Sequence, residues 1–254
     1  MLVVTSHDPG PLSNSYLVGD APGGSAALVD GGTPTGPIHA AIDELDLTPT
    51  HVFVTHRHPD HIAHVREYAE RYGIPRVGHR AEAEACGGFD IELEGDERFD
   101  VGELLLRALH IPGHTAGHLA IGVEHGEERA LFSGDTLFRG SVGGTRGRGH
   151  TTFEELRASI LDVILARPGF TTIYPGHTVP TTVAEELADN AFVRAWRGED
   201  TVVERPCLVQ GEPATLLLRA PDYDGGTKCW VRWPDGGLDI VAGSRVTAAS
   251  EDAS

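Results

Sequence analysis

The 254-residue chain has only three cysteines, Cys86, Cys207 and Cys229, and no two of them form a CxxC pair. A small odd number of scattered thiols does not suit a disulfide framework, so we expect buried, reduced cysteines. No apolar run approaches the ~20 residues of a membrane span. The first five residues, Met-Leu-Val-Val-Thr, lack the basic and apolar regions of a signal peptide. We therefore expect a cytoplasmic protein with no membrane partner.

Positive charge is also scarce, with 20 Lys and Arg against 38 Asp and Glu and a net charge of −18. Nucleic-acid backbones are bound by clustered Lys and Arg, which this composition does not favour. We expect a small-molecule substrate and no nucleic-acid partner, and the sequence leaves a homodimer open. The length suits one sizeable domain with an appendage.

One short stretch concentrates the chemistry of this chain. The segment His56-Arg57-His58-Pro59-Asp60-His61 directly follows the apolar run His51–Thr55, which predicts a strand. A strand that ends there can direct three imidazoles and a carboxylate to one point. Packing explains such a cluster poorly, because imidazoles repel one another when charged and need partners when buried. The set suits Zn, and it also suits Fe or Mn.

This HxHxDH spacing resembles the metallo-β-lactamase fold superfamily, and the resemblance implies three ligands further along the chain. His114 lies in Pro-Gly-His-Thr, Asp135 in Ser-Gly-Asp-Thr and His177 in Tyr-Pro-Gly-His. The cofactors implied are two divalent metal ions, with Zn favoured and Fe or Mn as alternatives. The expected ligands of the first ion are His56, His58 and His114, those of the second are Asp60, His61 and His177, and Asp135 bridges the two.

Such a pair of ions indicates metal-dependent hydrolysis. The two metals of dinuclear hydrolases lie about 3.5–4 Å apart and share a hydroxide, since a bound water has a pKa near 7. The second ion polarises the carbonyl or phosphoryl oxygen under attack. We expect Asp60 and Asp135 to be the catalytic carboxylates. The sequence offers no convincing Ser or Cys triad in place of this mechanism.

Within the superfamily, residues 1–198 are most similar to glyoxalase II-like hydrolases (hydroxyacylglutathione hydrolases), which cleave thioesters. The aspartate at position 135 differs from the Cys or Ser that β-lactamases place there. Ala63-His64 stands where that group commonly has two glycines. Glyoxalase II enzymes also append a basic helical domain that holds glutathione, whereas this chain appends strands. The resemblance therefore implies a thioester or ester-like substrate without specifying its thiol carrier.

Two alternative functions stay open at this point. Persulfide dioxygenases resemble the same motifs, but they use one Fe held by two His and one Asp and retain the remaining metal-site residues. Counting ligands does not separate them from hydrolases. A non-catalytic metal-binding protein is the third hypothesis, and loss of a ligand would have favoured it.

The order of the predicted elements suits an α/β (α+β) fold, a four-layer αββα metallo-β-lactamase-like sandwich with a small C-terminal β-rich extension. We place the metal-binding catalytic domain at residues 1–198 and the extension at 199–254. Because every candidate ligand precedes Gly198, we expect metal binding without the extension. His118 is interpreted as a packing or supporting residue and not as an eighth ligand. Asp30 either supports a ligand through a hydrogen bond or serves only in a turn.

Overall fold

The first sheet is buried on both faces, because successive side chains along each strand point to opposite faces. One face packs against helices and the other against a second sheet. Along the second strand, Tyr16 and Val18 contact the second sheet, while Leu17 between them packs under helices. The strands are antiparallel from the first to the third and parallel from the third to the sixth. In spatial order they are β1 (Leu2–His7), β2 (Asn14–Gly19), β3 (Ser25–Val29), β4 (Thr48–Phe53), β5 (Arg76–His79) and β6 (Ile91–Leu93).

The second sheet lies face to face with the first. Its strands in chain order are β7 (Arg98–Val101), β8 (Leu104–His110), β9 (Leu119–His125), β10 (Glu128–Gly134), β13 (Thr172–Pro175) and β14 (Thr181–Thr182), with spatial order β14-β13-β10-β9-β8-β7. Between β10 and β13 the chain forms a two-stranded ribbon of β11 (Leu137–Phe138) and β12 (Ser141–Val142). Strands β10 and β13 are parallel, so both end at the same edge of the sheet.

Helices cover both outer faces, and this arrangement confirms the predicted αββα sandwich. The helices are α1 (Gly36–Glu44), α2 (Pro59–Ile62), α3 (Val65–Tyr72), α4 (Ala83–Cys86), α5 (Phe153–Ala158), α6 (Val183–Asp189) and α7 (Ala191–Trp196). Helices α1 and α3 pack on the first sheet, while α5 and α7 pack on the second. The computed structural model describes residues 1–249. In that range no helix is long and apolar enough to cross a bilayer.

The sequence predicts three continuous helices, at residues 60–72, 153–165 and 183–196, and each is interrupted in the structure. The predicted helix at residues 60–72 breaks at His64, because its backbone N–H donates to the Gly31 carbonyl at 2.6 Å instead of continuing the helix. The predicted helix at 183–196 breaks at Asn190, whose side chain accepts hydrogen bonds from the first backbone N–H groups of α7. The predicted helix at 153–165 changes to a π-helix at Ser159–Ile164. The hydrophobic period alone does not reveal these interruptions.

The C-terminal strands form a third sheet. They are β15 (Arg205–Val209), β16 (Glu212–Pro221), β17 (Thr227–Arg232), β18 (Leu238–Ala242) and β19 (Val246–Ala248), in spatial order β18-β17-β16-β15-β19. The apolar pair Val202-Val203 predicts a further strand, but both residues lie in the loop before β15, so that prediction is wrong. The sheet buries Cys207 and Cys229 as free thiols, while Cys86 is a partly buried free thiol. The last five residues of the chain, 250–254, lie outside the described range.

This third sheet also shares a core with the sandwich. Ala220 and Ile240 belong to the same buried cluster as α5 and α7. The Trp230 ring stacks on Phe153 at a centroid distance of 5.6 Å, so it serves packing. The division of the chain at residue 198 stays a prediction.

Two adjacent leucines of β8 test the sheet-on-sheet core. Leu106 is fully buried between the sheets, whereas Leu105 on the opposite face is 36% exposed. We expect Leu106→Ala to lower the free energy of unfolding by about 2–5 kcal/mol, through lost burial and a cavity. Leu105→Ala, the matched control, should cost about 0.5 kcal/mol or less. Chemical denaturation measures both. Equal losses would contradict the assigned facing of β8.

Candidate metal centre

The seven predicted ligands lie in segments that follow strands of both sandwich sheets, with Asp60 and His61 in the short helix α2, and the structure brings them all together. His56, His58, Asp60 and His61 follow β4, His114 follows β8, Asp135 follows β10, and His177 follows β13. They form two groups within which the potential ligand atoms lie no more than 4.8 Å apart. One group is His56, His58, His114 and Asp135, and the other is Asp60, His61 and His177.

The first group places three imidazole nitrogens beside one carboxylate oxygen. His58 Nδ1 lies 2.9 Å from His56 Nε2 and 3.0 Å from His114 Nε2. Asp135 Oδ2 lies 3.6 Å from the Nε2 atoms of both His56 and His114. Four donor atoms therefore face one small volume.

The second group is arranged around Asp60. Its Oδ2 atom lies 3.7 Å from His61 Nε2 and 3.6 Å from His177 Nε2. Asp135 contacts this group too, with Oδ1 at 3.3 Å from His61 Nε2 and Oδ2 at 3.2 Å from His177 Nε2. Asp135 thus lies between the two groups, in the position that the resemblance implies for a bridging carboxylate.

Hydrogen bonds on the outer side of four imidazoles fix which nitrogen carries a proton. The outer nitrogen of each of these rings faces an oxygen that can only accept, or one whose own hydrogen is already donated elsewhere. The pairs are His58 Nε2 with the Arg148 carbonyl (3.1 Å), His114 Nδ1 with the Gly144 carbonyl (2.9 Å), His61 Nδ1 with Asp30 Oδ2 (2.8 Å) and His56 Nδ1 with Thr55 Oγ1 (3.0 Å). The Thr55 hydroxyl donates its hydrogen to Asp30 at 2.8 Å, so its oxygen accepts.

Each of these rings, when neutral, therefore presents a lone pair to the centre of the site. Lone pairs 3.0 Å apart, beside carboxylate oxygens, repel unless a positive charge lies between them. His61 Nε2 and Asp135 Oδ1 are both buried without a hydrogen-bond partner among the described residues. The residues present therefore fit divalent metal ions.

The electrostatics of the site agree with this fit. Burial, with the neighbouring His61 ring, lowers the pKa of His56 well below 6.5, and burial lowers the pKa of His114 to about 4. Both rings are therefore neutral at neutral pH, the form in which imidazole binds a metal ion. Burial opposes a charged His61, yet the carboxylates of Asp135 and Asp30 raise its pKa well above 6.5. These carboxylates demand positive charge at that nitrogen, which a proton or a metal ion supplies.

Asp135 is held as a carboxylate by the surrounding rings. Burial alone would raise its pKa, but His177, His61 and His56 bring it well below 3.8. Its backbone N–H donates to His118 Nε2 at 3.1 Å. His118 stacks on His56 at a centroid distance of 4.7 Å, so the structure places it in support of two predicted ligands.

Two glycines allow the strand ends to approach one another this closely. A Cβ atom at Gly176 would lie 2.2 Å from Asp135 Oδ1, and one at Gly32 would lie 1.6 Å from the Asp60 carbonyl oxygen. Neither position has room for a side chain. The turn before His177 and the loop after β3 therefore depend on glycine.

Sequence reasoning missed several residues that hold the imidazoles. Thr55 directly precedes the motif, and its neighbour His56 was the available signal. The carbonyls of Gly144 and Arg148 gave none, because a backbone acceptor has no sequence signature. Tyr223, which stacks on His177 at a centroid distance of 4.4 Å, lies 46 residues further along the chain.

Asp30 tests the dependence of the site on these outer partners. Its carboxylate accepts hydrogen bonds from His61 Nδ1, the Thr55 backbone N–H and the Thr55 hydroxyl, each at 2.8 Å. This answers the question the sequence left open, since Asp30 supports a predicted ligand. We expect Asp30→Ala to weaken metal binding about 10- to 100-fold, because His61 loses its fixed orientation. Competitive titration with a chromophoric chelator measures this.

Asp20→Ala is the matched control for that variant. Asp20 is also buried and accepts hydrogen bonds from the backbone N–H groups of Ala21 and Glu103, but it contacts none of the seven predicted ligands. It should lose stability and keep the metal affinity of the parent protein. The same affinity loss in both variants would show that Asp30 acts through general stability.

Comparisons with known proteins agree with this geometry. The family model of the metallo-beta-lactamase superfamily matches residues 8–177. The hydroxyacylglutathione hydrolase of Halorhodospira halophila is 33% identical over 240 residues, covering 75% of this chain and 86% of its own. That of Methylococcus capsulatus is 31% identical over 211 residues, covering 70% and 81%.

Solved structures show the same likeness. ETHE1 from Myxococcus xanthus superimposes with a TM-score of 0.66 at 30% identity, covering 77% of this chain and 85% of its own. TTHA1623, solved in a di-iron-bound form, gives a TM-score of 0.60 at 31% identity, covering 76% of this chain and 100% of its own. The resemblance inferred from the motifs is confirmed, and the chain belongs to the metallo-beta-lactamase superfamily.

Proposed function

We propose that this chain is a metal-dependent hydrolase that holds two divalent ions and cleaves a thioester or ester-like small molecule. The observation that carries the proposal is the position of Asp135, whose two oxygens face both donor groups at 3.2–3.6 Å. One carboxylate shared by two ligand sets is suited to a dinuclear centre. The relatives named hydroxyacylglutathione hydrolase support hydrolysis of a thioester.

The donor set bears on the identity of the ions. It contains five imidazoles and two carboxylates and no thiolate. Such a set suits Zn, and it also suits Fe or Mn. When bound, these ions supply a water with a pKa near 7 and a Lewis acid for the acyl oxygen.

Asp60 is the proposed proton acceptor of the site. Its side chain is 29% exposed, whereas those of His61 and Asp135 are 0% and 8% exposed. Its Oδ2 atom faces His61 and His177, which leaves Oδ1 able to accept the proton of the attacking water. The partly exposed Asp60 also marks the side from which a small molecule enters.

A thioester suits this site because its cleavage does not depend on a general acid. Water adds to the acyl carbon, the C–S bond breaks, and the products are a carboxylic acid and a thiol. Since a thiol has a pKa of about 8.5, its thiolate departs near neutral pH without an acid from the protein. An amide nitrogen, in contrast, needs protonation before it leaves. The chemistry therefore favours thioesters and activated esters.

Asp135→Ala tests this proposal. The variant loses the carboxylate between the two donor groups, so we expect kcat/KM for acyl-thioester hydrolysis to fall by more than about 100-fold. This is a larger effect than the loss of about 10- to 100-fold expected when a residue that only hydrogen-bonds a ligand, such as Asp30, is removed. Removing metal from the parent protein with a chelator should abolish turnover, and adding Zn back should restore it. Thiol release, followed with a thiol reagent, measures all of these.

Asp90→Ala is the control, because Asp90 is an exposed aspartate that pairs with Arg76. It should keep full activity. An oxygen electrode separates hydrolysis from the dioxygenase alternative, since hydrolysis consumes no oxygen. Oxygen uptake with a persulfide, one tightly held Fe per chain and no hydrolysis of any thioester or ester would contradict the proposal.

A further inference from the structure

The loop between β12 and α5 holds two predicted ligands of the first donor group from outside. The Gly144 carbonyl accepts a hydrogen bond from His114 Nδ1 at 2.9 Å, and the Arg148 carbonyl accepts one from His58 Nε2 at 3.1 Å. These contacts set the tautomer and the direction of both rings. The orientation of His58 and His114 therefore depends on where this loop lies.

Thr145, between the two carbonyls, fastens the loop to the C-terminal sheet. Its backbone N–H donates to the Ile240 carbonyl at 3.0 Å, and its hydroxyl accepts from the Ile240 N–H at 2.9 Å. The same hydroxyl donates to Asp239 Oδ1 at 2.7 Å. Thr145 is fully buried, so no water competes for these bonds.

Asp239, which accepts from Thr145, also contacts the next residue of the loop, Arg146. Its other oxygen, Oδ2, accepts from Trp233 Nε1 at 2.7 Å and lies 3.4 Å from the Arg146 guanidinium. That guanidinium lies over the Trp233 ring, 4.9 Å from its centroid. One carboxylate of β18 therefore anchors two consecutive residues of the loop, Thr145 and Arg146.

The C-terminal sheet reaches the second donor group as well. Tyr223, in the turn between β16 and β17, stacks on the His177 ring with an interplanar angle of 12°. His177 Nδ1 is buried and has no hydrogen-bond partner among the described residues. No outer acceptor fixes this ring, in contrast to the other four imidazoles. Apart from the contact of its inner nitrogen with Asp135 Oδ2 at 3.2 Å, the ring is held by packing against Tyr223 and against the edge of Phe138 at 5.7 Å.

Asp222 fixes the turn that carries Tyr223. One oxygen accepts from the Ser141 hydroxyl at 2.8 Å and from the Tyr223 N–H at 2.9 Å, and the other pairs with Lys228 at 3.0 Å. Ser141 belongs to the sandwich and Lys228 to β17. Both charged side chains are at least 90% buried, at 5% and 10% exposure, so the pair is shielded from solvent.

We propose that the C-terminal sheet is a working part of the metal centre, in which Thr145, Asp239 and Tyr223 act as positioning residues for the imidazoles. Thr145 and Asp239 set the first donor group through the loop, and Tyr223 sets His177 of the second. The inference rests on the metal centre of the proposed function. It replaces the expectation that residues beyond Gly198 are dispensable for metal binding, because ligand positions alone do not show what orients them.

Full-length variants test the two attachments separately. Thr145→Val removes the hydroxyl with little change of shape and should weaken the first-group ion about 10- to 100-fold. Tyr223→Ala should weaken binding of the second-group ion by a similar factor. With one ion expected for each of the two donor groups, the metal content should then fall from two ions per chain to about one. Tyr223→Phe keeps the stacked ring and should restore the parent content.

Arg232→Ala is the matched control, since Arg232 lies on β17 but pairs with the exposed Glu204 away from the site. Elemental analysis gives the metal content, chelator competition gives the affinities, and the d–d spectrum of Co(II)-loaded protein reports ligand geometry independently of activity. Thermal unfolding of the metal-free variants identifies loss of fold. If Tyr223→Ala does not fold, Tyr223→Leu replaces it.

The outcomes separate this inference from the proposed function. A parent protein that binds no ions would refute the dinuclear centre itself. A parent that binds two, with Thr145→Val and Tyr223→Ala variants of unchanged affinity and unchanged cobalt spectrum, would overturn the positioning role alone. Equal metal loss in Arg232→Ala would show that any damage to the sheet has this effect, and it would also overturn the assignment to these residues.

Discussion

Mutual repulsion among inward-facing lone pairs is the constraint on which the rest of this structure depends. Four imidazoles have their outer nitrogens bonded to acceptors, so each ring, when neutral, points the lone pair of its inner nitrogen into a site that also holds two carboxylates. Burying such a set is costly unless positive charge balances it. Divalent ions meet that demand, and they suit these ligands better than protons because each ion accepts several lone pairs at once.

The fold supplies the rigidity that this arrangement needs. The donors follow strands of both sheets, and those strands are held by a buried core between them. Outside the donors, Asp30, His118 and the 144–148 loop bond to the predicted ligands or to their backbone. The third sheet then fixes that loop. The third sheet thus holds the loop, and the loop and the other outer partners hold the donors. Such support keeps mutually repelling groups in place in a buried site.

Local sequence predicted the sandwich and the seven candidate ligands that the structure brings together, because both depend on short-range signals. HxHxDH sits directly after an apolar strand, and the family motifs mark His114, Asp135 and His177. The break at His64 was not predictable, since it arises from a hydrogen bond to Gly31, 33 residues earlier. Tyr223 and Thr145 had no signal either. The roles proposed for them come from contacts with residues that are distant in sequence. The turn that holds Tyr223 and the loop that holds Thr145 have the composition of ordinary solvated segments.

Anomalous diffraction from crystals of the metal-loaded protein, recorded on both sides of the absorption edge, tests the central claim most directly. The account predicts two peaks, one within each donor group, with Asp135 oxygens between them. For Zn, donor nitrogens and oxygens should lie about 2.0–2.2 Å from the ions. A single peak, or metal bound outside these seven residues, would contradict the account.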